Sequence, residues 1–367
     1  MKTKKMRYVW FLVILCIFCL TLFLARTRSK VVMRNRIYHQ WNEHFVVSKG
    51  KESYVRTTND SNQTVVLSEA QSYGMLITVA AAEKGQAQQA DFDRLYHYYL
   101  NHRLEGTQLM SWKQTISNGK AKDEDHNATD GDLYIAYALL KAAQQWPKQA
   151  KDYQAQAKAI LEDILAHNYN EETGVLTVGN WANQDSEFYH LMRTSDTLPA
   201  QFQIFYEVTK DSKWLDIKEK MLQQLQTISS QTKTGLLPDF IWVDEQGTRV
   251  ADPKTIESKY DGAYSYNACR LPYNLVQSKD ATSQKLVKKM LNFFKSQRNL
   301  YAGYDLKGKA LNNHQAASFL APIVYASEHE KGYLKLVQQN KYIFTQDLPL
   351  NNYYDATMTT MIALELF

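Results

Sequence analysis

Two acidic stretches carry the residue types that acid–base chemistry needs. The first is Ser68-Glu69-Ala70-Gln71-Ser72-Tyr73-Gly74-Met75. Ser68 and Gln71 stand at capping-box spacing ahead of the apolar run Met75 to Ala82, which predicts a helix start. Glu69 then takes the first helical position and Tyr73 lies one turn on, on the same side. The helix dipole alone favours an acid there by roughly a few tenths of a kcal/mol, so position by itself does not single Glu69 out. The second stretch is Asp123-Glu124-Asp125-His126-Asn127-Ala128-Thr129-Asp130-Gly131-Asp132. It fails as a calcium loop: counted from Asp123, the sixth position is Ala128 where Gly is needed and the twelfth is Tyr134 where Glu is needed. A solvated loop with Thr129 capping the next helix accounts for part of it. The sharper reading places Asp130, at that helix start beside Gly131, in a cleft shared with Glu69. No His/Cys spacing for zinc, no phosphate-binding Gly-rich loop and no Gly-x-Ser-x-Gly elbow accompanies these acids, so no metal or cofactor is expected. Paired carboxylates among aromatics fit glycoside hydrolysis best. The excess of Tyr (24) over Phe (14) agrees, because a phenol ring offers sugars a flat apolar face and a polar tip.

The elements that must position these residues are mostly helices. Helical spacing of apolar residues follows Thr129 through Leu133, Ala136, Leu140 and Ala143, and recurs over roughly 90–104, 149–167, 197–209, 211–228, 268–279, 281–297, 313–327, 331–344 and 353–366. Strand alternation is confined to short segments near 174–178 and 239–243. Many helices without a residue-level repeat point to one closed ring of helical hairpins rather than a consensus solenoid. Ahead of it, Val9 to Ala25 is uncharged and apolar, with Lys2, Lys4, Lys5 and Arg7 before it and Arg26, Arg28 and Lys30 after it. Small residues for a cleavage site are lacking, so residues 1–30 read as a retained signal anchor, with the N-terminus inside and the large domain outside the cell membrane. Residues 31–60 read as a stem with a loop at Asn59–Asn62, and residues 61–367 as the catalytic domain. The +5 formal charge comes from the first thirty residues; the remainder is slightly acidic, with no nucleic-acid footprint. Cys16 and Cys19 fall in the apolar run and Cys269 stands alone, a core residue by its apolar setting.

The motifs resemble glycoside hydrolase family 8 over essentially all of 60–367. The matching blocks are the Ser68–Met75 stretch, Leu109-Met110-Ser111-Trp112, and Ala128-Thr129-Asp130-Gly131-Asp132. They continue with Asn180-Trp181, Arg193-Thr194-Ser195-Asp196, Gly235-Leu236-Leu237-Pro238-Asp239-Phe240, Tyr266-Asn267-Ala268-Cys269-Arg270-Leu271-Pro272, and Ala310–Pro322. The resemblance implies an (α/α)6 barrel that cleaves β-linked polysaccharide with inversion. It makes Glu69 the general acid, and Asp130 the residue that holds and distorts the sugar at the point of cleavage. One position departs: many members have Asp as general base where this chain has Asn267, and an amide cannot take a proton from water. Asn there, with the Arg-Thr-Ser-Asp block, is similar to the subgroup that includes chitosanases, in which another carboxylate serves. Asp239, Glu257, Asp261 and Asp196 are the candidates, with Asp239 preferred over Glu257.

Glu69 is expected to be protonated at working pH through partial burial and the Asp130 charge. Trp112, Trp181 and Tyr189 are expected as stacking faces, each with a core role as the alternative. Tyr73, Asp196, Tyr266 and Asn267 complete the expected substrate contacts. Arg193 and Arg270 are expected either to bind substrate or to form buried pairs with Asp196 or Asp261. The expected partners are a polysaccharide, the membrane and exopolysaccharide synthesis machinery. A non-catalytic binding or assembly protein on a degenerate barrel is the rival, supported by Asn267 and opposed by intact Glu69 and Asp130. Of three Asn-x-Ser/Thr sequons, at Asn59, Asn62 and Asn127, glycosylation of the last would obstruct the cleft.

Overall fold

The computed structural model describes residues 2–58 and 63–367 and opens on one long helix, α1 (Lys2–Phe45). Among the described residues α1 is the one helix long and apolar enough to cross a membrane; its apolar window has a mean hydropathy of 2.7 and none of it is buried. Beyond Lys30 the same helix changes character. Ile37, Tyr38, Trp41 and Phe45 recur at helical spacing and are buried. The stem expected over 31–60 is therefore corrected: residues 31–45 pack into the body of the protein, because an apolar stripe of that width has to be covered. A hairpin, β1 (Val46–Lys49) and β2 (Glu52–Val55), follows directly. The loop and the two sequons expected at Asn59–Asn62 lie outside the described residues, as do the side chains of Lys2, Lys4, Lys5 and Arg7.

From there β3 (Thr64–Leu67) runs into α2 (Ser68–Glu83), followed by α3 (Gln89–Asn101). β4 (Lys113–Ser117) and β5 (Lys120–Asp123) join β3 in an antiparallel sheet of order β3-β4-β5. Next come α4 (Thr129–Gln145), α5 (Ala150–His167), β6 (Leu191–Arg193), α6 (Pro199–Thr209) and α7 (Lys213–Ser230). β7 (Phe240–Asp244) and β8 (Gly247–Val250) pair with β6 in the order β6-β7-β8. The chain finishes with α8 (Leu271–Val276), α9 (Ala281–Ser296), α10 (Ala317–His329), α11 (Leu334–Asn340) and α12 (Tyr353–Leu366). The strand expected at 239–243 is realised as β7, whereas 174–178 forms only an isolated bridge between Tyr169 and Leu176.

Burial separates the helices into two layers. α2, α4, α10 and α12 are buried nearly all round, as helices walled in by neighbours must be, while α7 and α9 bury one stripe each. α2 packs on α4 and α12, α10 on α8 and α12, and α6 on α7 and α8. The even-numbered helices form an inner ring and the odd-numbered ones an outer ring, giving an (α/α)6 barrel. The ring closes between the two ends of the chain. Trp41 of α1 donates its Nε1–H to Thr357 Oγ1 of α12 (2.9 Å), and Phe45 meets Tyr353 edge to face. All inner helices start at one end. The long connections and both three-stranded sheets sit at that open end, and short loops close the other.

Candidate active site

The first turns of α2 and α4 meet at the open end. Gly131 permits it: a Cβ there would lie 2.2 Å from Ser68 Oγ and 3.0 Å from the Ser68 carbonyl carbon. Neither helix is capped as its sequence predicts. Leu67 and Ala128 occupy the N-cap positions and cap with no side chain. Ser68 is the first helical residue and its N–H donates to Trp112 O (2.9 Å). Gln71 turns inward instead, accepting from Val55 N–H and donating to Ser53 and Leu95 carbonyls, so it fastens the hairpin to α2 and α3. Thr129 donates to Thr177 O (2.6 Å).

Arg270 is the hub. It is 1% exposed and arrives in a 3-10 turn, Ala268–Arg270, ahead of α8. Its Nη1 lies 3.0 Å from Glu69 Oε2, 2.9 Å from the Tyr73 hydroxyl and 3.1 Å from Asp130 Oδ2. Its Nη2 donates to Ser195 Oγ (2.7 Å) and Asn267 Oδ1 (3.1 Å). A second guanidinium, Arg193 at the end of β6, reaches Asp130 Oδ1 at 2.9 Å, Asp196 Oδ2 at 3.6 Å and Glu257 Oε1 at 3.5 Å. Glu69, Asp130 and Glu257 are thus linked through two buried cations. Burial raises the Glu69 carboxyl to about 7, against the pull of Arg270 and with a smaller push from Asp130. Asp130 is held below the usual carboxylate range: burial opposes ionisation, but Arg193, Arg270 and the Gly131 N–H outweigh it. One site therefore holds a carboxyl ready to donate a proton beside a carboxylate that stays charged.

The candidate bases differ in what binds them. Asp239 is 3% exposed, and its Oδ1 accepts the N–H groups of Ser265, Asn267 and Ala268 at 3.1, 3.2 and 2.7 Å. It anchors the turn that delivers Asn267 and Arg270. Burial pushes its carboxyl up to about 8 despite those donors, with Glu257 adding to the rise. Asp261 does the same for another loop, accepting from Ile256, Glu257 and Ser258 N–H at 2.8, 3.0 and 2.7 Å. Asp196 is 2% exposed and pushed up to about 7 by burial. Glu257 alone among the four is open to solvent, its side chain 44% exposed, with Oε2 accepting from Asn267 Nδ2 at 2.8 Å.

The expected sugar contacts divide likewise. Tyr266 is 42% exposed, edge to face with Phe319 and tilted against Tyr354, whose hydroxyl donates to Tyr266 O. Trp112 and Trp181 are half-buried and flank His126, Trp112 stacked on it at 5.7 Å and Trp181 edge-on at 6.2 Å. Tyr189 is corrected: it is buried, and its hydroxyl accepts from Glu171 N–H (3.3 Å). Tyr73 is corrected too, being enclosed, and Arg270 takes the buried-pair alternative, with Glu69 and Asp130 as its partners in place of Asp196 or Asp261. Asn127 is fully buried and donates to Asp132 Oδ2 (2.8 Å), so the folded protein offers no acceptor for glycosylation there. Ser195, His126 and Tyr354 belong to the site without having been singled out. Ser195 sits inside the Arg193–Asp196 block and His126 inside the acidic Asp123–Asp132 stretch, which were the available signals; nothing local marks Tyr354. Among the described residues no His/Cys/Asp/Glu group is arranged to hold a metal.

A family model described as glycosyl hydrolases family 8 matches residues 13–365. A β-glucanase of Niallia circulans is 31% identical over 298 residues, 78% of this chain and 72% of that protein. An endoglucanase of Bacillus sp. strain KSM-330 is 30% identical over 275 residues, 71% of this chain and 58% of that protein. Among solved structures, the β-1,3-1,4-glucanase from Paenibacillus sp. X4 is similar with a TM-score of 0.83 at 25% identity, over 93% of this chain and 92% of that one. The endo-1,4-D-glucanase from Vibrio fischeri shares the fold, with a TM-score of 0.72 at 21% identity, over 89% and 92%.

Proposed function

The chain belongs to glycosyl hydrolase family 8, and from that premise we propose an endo-acting, inverting hydrolase of β-linked polysaccharide, with β-1,4 bonds its targets. Glu69 is its general acid, Glu257 its general base and Asp130 the charge that holds the sugar at the bond to be cut. The observation that carries this reading is the shared placement of Glu69 and Asp130 on one nitrogen of Arg270, with Glu257 joined to Asp130 through Arg193.

Glu69 donates its proton to the glycosidic oxygen as the bond from that oxygen to the anomeric carbon breaks. A water attacks that carbon from the opposite face and loses its proton to Glu257, leaving the new hydroxyl inverted. Arg193 places one cation between Asp130 and Glu257, and together with Arg270 it holds Asp130 below the usual carboxylate range. Asn267 orients the base: its amide donates to Glu257 and its carbonyl oxygen accepts from Arg270. A residue so engaged supports a working site over a degenerate one. Tyr266, Trp112 and Trp181 offer the ring faces for neighbouring sugars.

The names of the relatives favour β-glucans as the substrate class. Val9 to Ala25 serves as a single-pass anchor with the barrel outside the cell, and a tethered hydrolase suits a surface or exopolysaccharide, working beside the machinery that makes it. The test uses the purified full chain with mixed-linkage β-glucan, carboxymethyl cellulose, xylan, chitosan, acetylated hexosamine polymers and the host's own surface polysaccharide. New reducing ends and their anomeric form are followed by NMR. Internal cuts of inverted configuration are expected, with Glu69→Gln and Glu257→Gln each slower by about 10²–10⁴-fold. Cleavage of none of the polymers, or a fully active Glu257→Gln protein, overturns the reading.

A further inference from the structure

The end of the barrel opposite the cleft has its own chemistry. Five short loops close it: residues 84–88, 146–149, 210–212, 277–280 and 330–333. Each carries one lysine, namely Lys84, Lys148, Lys210, Lys279 and Lys331, and all five are exposed. Among the described residues none of them makes an ion pair. The three acids in these loops are Asp211, Asp280 and Glu330. All three have partners of their own, Asp211 accepting from Lys213 N–H, Asp280 from Thr282 and Ser283 N–H, and Glu330 facing Lys288 at 3.4 Å. The long connections at the open end are nearly balanced in charge.

α1 enters at this same closed end. Arg34 donates to Phe367 O (3.0 Å) and Lys30 lies over the Phe367 ring, at the finish of α12, while Phe45 meets Tyr353 at its start. The helix is unbroken from the apolar segment to Phe45, so no hinge separates the two. Arg26, Arg28 and Lys30 lie where the apolar run stops. The twenty residues from Arg26 to Phe45 span about 30 Å at the helical rise.

We propose that the closed end of the barrel is a docking surface for an anionic lipid bilayer. The lysine ring rests on acidic headgroups, and α1 acts as a strut that turns the cleft away from the membrane. This rests on the reading of Val9–Ala25 as a retained span. The recognition is electrostatic, clustered lysines at a charged interface, and weakens with salt. Its consequence is that the cutting site stands about 30 Å out from the headgroups, the length of the strut. The polymer is then met after it has left the membrane plane.

The test places a fluorophore on the full chain at Gln88→Cys, in a closed-end loop, or at Asn313→Cys, in the open-end connection before α10. Cys16 and Cys19 are exposed and are changed to serine for this test, and Cys269 is buried, which leaves the introduced thiols to react. The protein is reconstituted in vesicles of phosphatidylcholine with 30% phosphatidylglycerol, carrying a headgroup quencher. Quenching at position 88 should exceed that at 313 severalfold. It should fall by half or more in 0.5 M NaCl, in pure phosphatidylcholine, and when all five lysines are changed to glutamine. That variant should keep its activity on soluble oligosaccharides, since none of the five approaches the catalytic groups. Equal quenching at the two positions, or a difference that neither salt nor the substitutions move, overturns the docking while leaving the anchor intact. Loss of the full chain from vesicles after an alkaline carbonate wash overturns the anchor and the docking together.

Discussion

Two carboxylates bound to Asn267 divide its two kinds of donor between them, Asp239 taking its backbone N–H and Glu257 its side-chain amide. That division is what favours Glu257 over Asp239 as the base in the mechanism proposed above. Asp239→Asn keeps an acceptor oxygen for the three N–H groups, so kcat/KM should stay within about threefold, whereas loss of a general base would cost about 10²-fold or more. The same variant has a pH signature. The native Asp239 carboxyl, raised from 3.8 to about 8, holds a proton that the unfolded chain has already lost above pH 4. Its contribution to stability is therefore greatest at low pH and declines as pH rises towards 8, by about 1.4 kcal/mol per pH unit. Denaturant titrations from pH 5 to 8.5 should show a shallower decline in Asp239→Asn than in the parent, and an unchanged slope would contradict the assignment. Sequence reading identifies the acids but cannot separate a capping carboxylate from a catalytic one. The donors that occupy Asp239 lie 26, 28 and 29 residues away, on a turn that has no periodicity to reveal it. Tyr73 is enclosed, and Tyr189 and Arg270 take the core and buried-pair alternatives, for a related reason: type and motif make them candidates, and only packing decides which way they face.

At the level of elements, the catalytic pair depends on how closely two helix starts approach. Gly131→Ala should force α2 and α4 apart, since the new methyl overlaps Ser68; overpacking of this kind costs about 1–3 kcal/mol. Separating Glu69 from Asp130 should lower kcat more than it raises KM. Adding Ser68→Gly to Gly131→Ala removes the opposing side chain and should restore part of both activity and melting temperature. Thermal melts with initial rates on a soluble β-glucan check this, and a Gly131→Ala protein with parental kcat would show the contact to be slack. The helices themselves are legible because an apolar stripe at 3.6-residue period survives in α7 and α9 whatever they pack against. The sheets are not, since β3 through β8 are three to five residues long and draw their pairing from connections between helices. The expected capping box fails because Gln71 finds three backbone partners in the neighbouring hairpin and helix, and a fully buried amide satisfied by those partners outweighs a cap.

At the scale of the whole molecule, ring closure joins residues at opposite ends of the chain, as in the Trp41–Thr357 and Arg34–Phe367 bonds. The helical content is evident from sequence alone, but that residues 31–45 belong to the barrel is not. Their partner stripe lies on α12, more than three hundred residues later. A chain ending at Asn352 lacks α12, and with it the wall that covers Trp41 and Phe45 and separates α2 from α10. Such a truncation should be recovered insoluble or degraded, where a soluble product of normal melting temperature would show that the ring does not need its last member. The closure also sets an order of events during synthesis. A ribosome delivers the apolar face of α1 some three hundred residues ahead of its cover, so the nascent chain must carry an open seam through the translation of everything between. With α1 anchored and the barrel outside, as proposed above, that seam is exposed on the far side of the bilayer. Release of α12, rather than formation of α1, is the moment at which that seam closes to proteases.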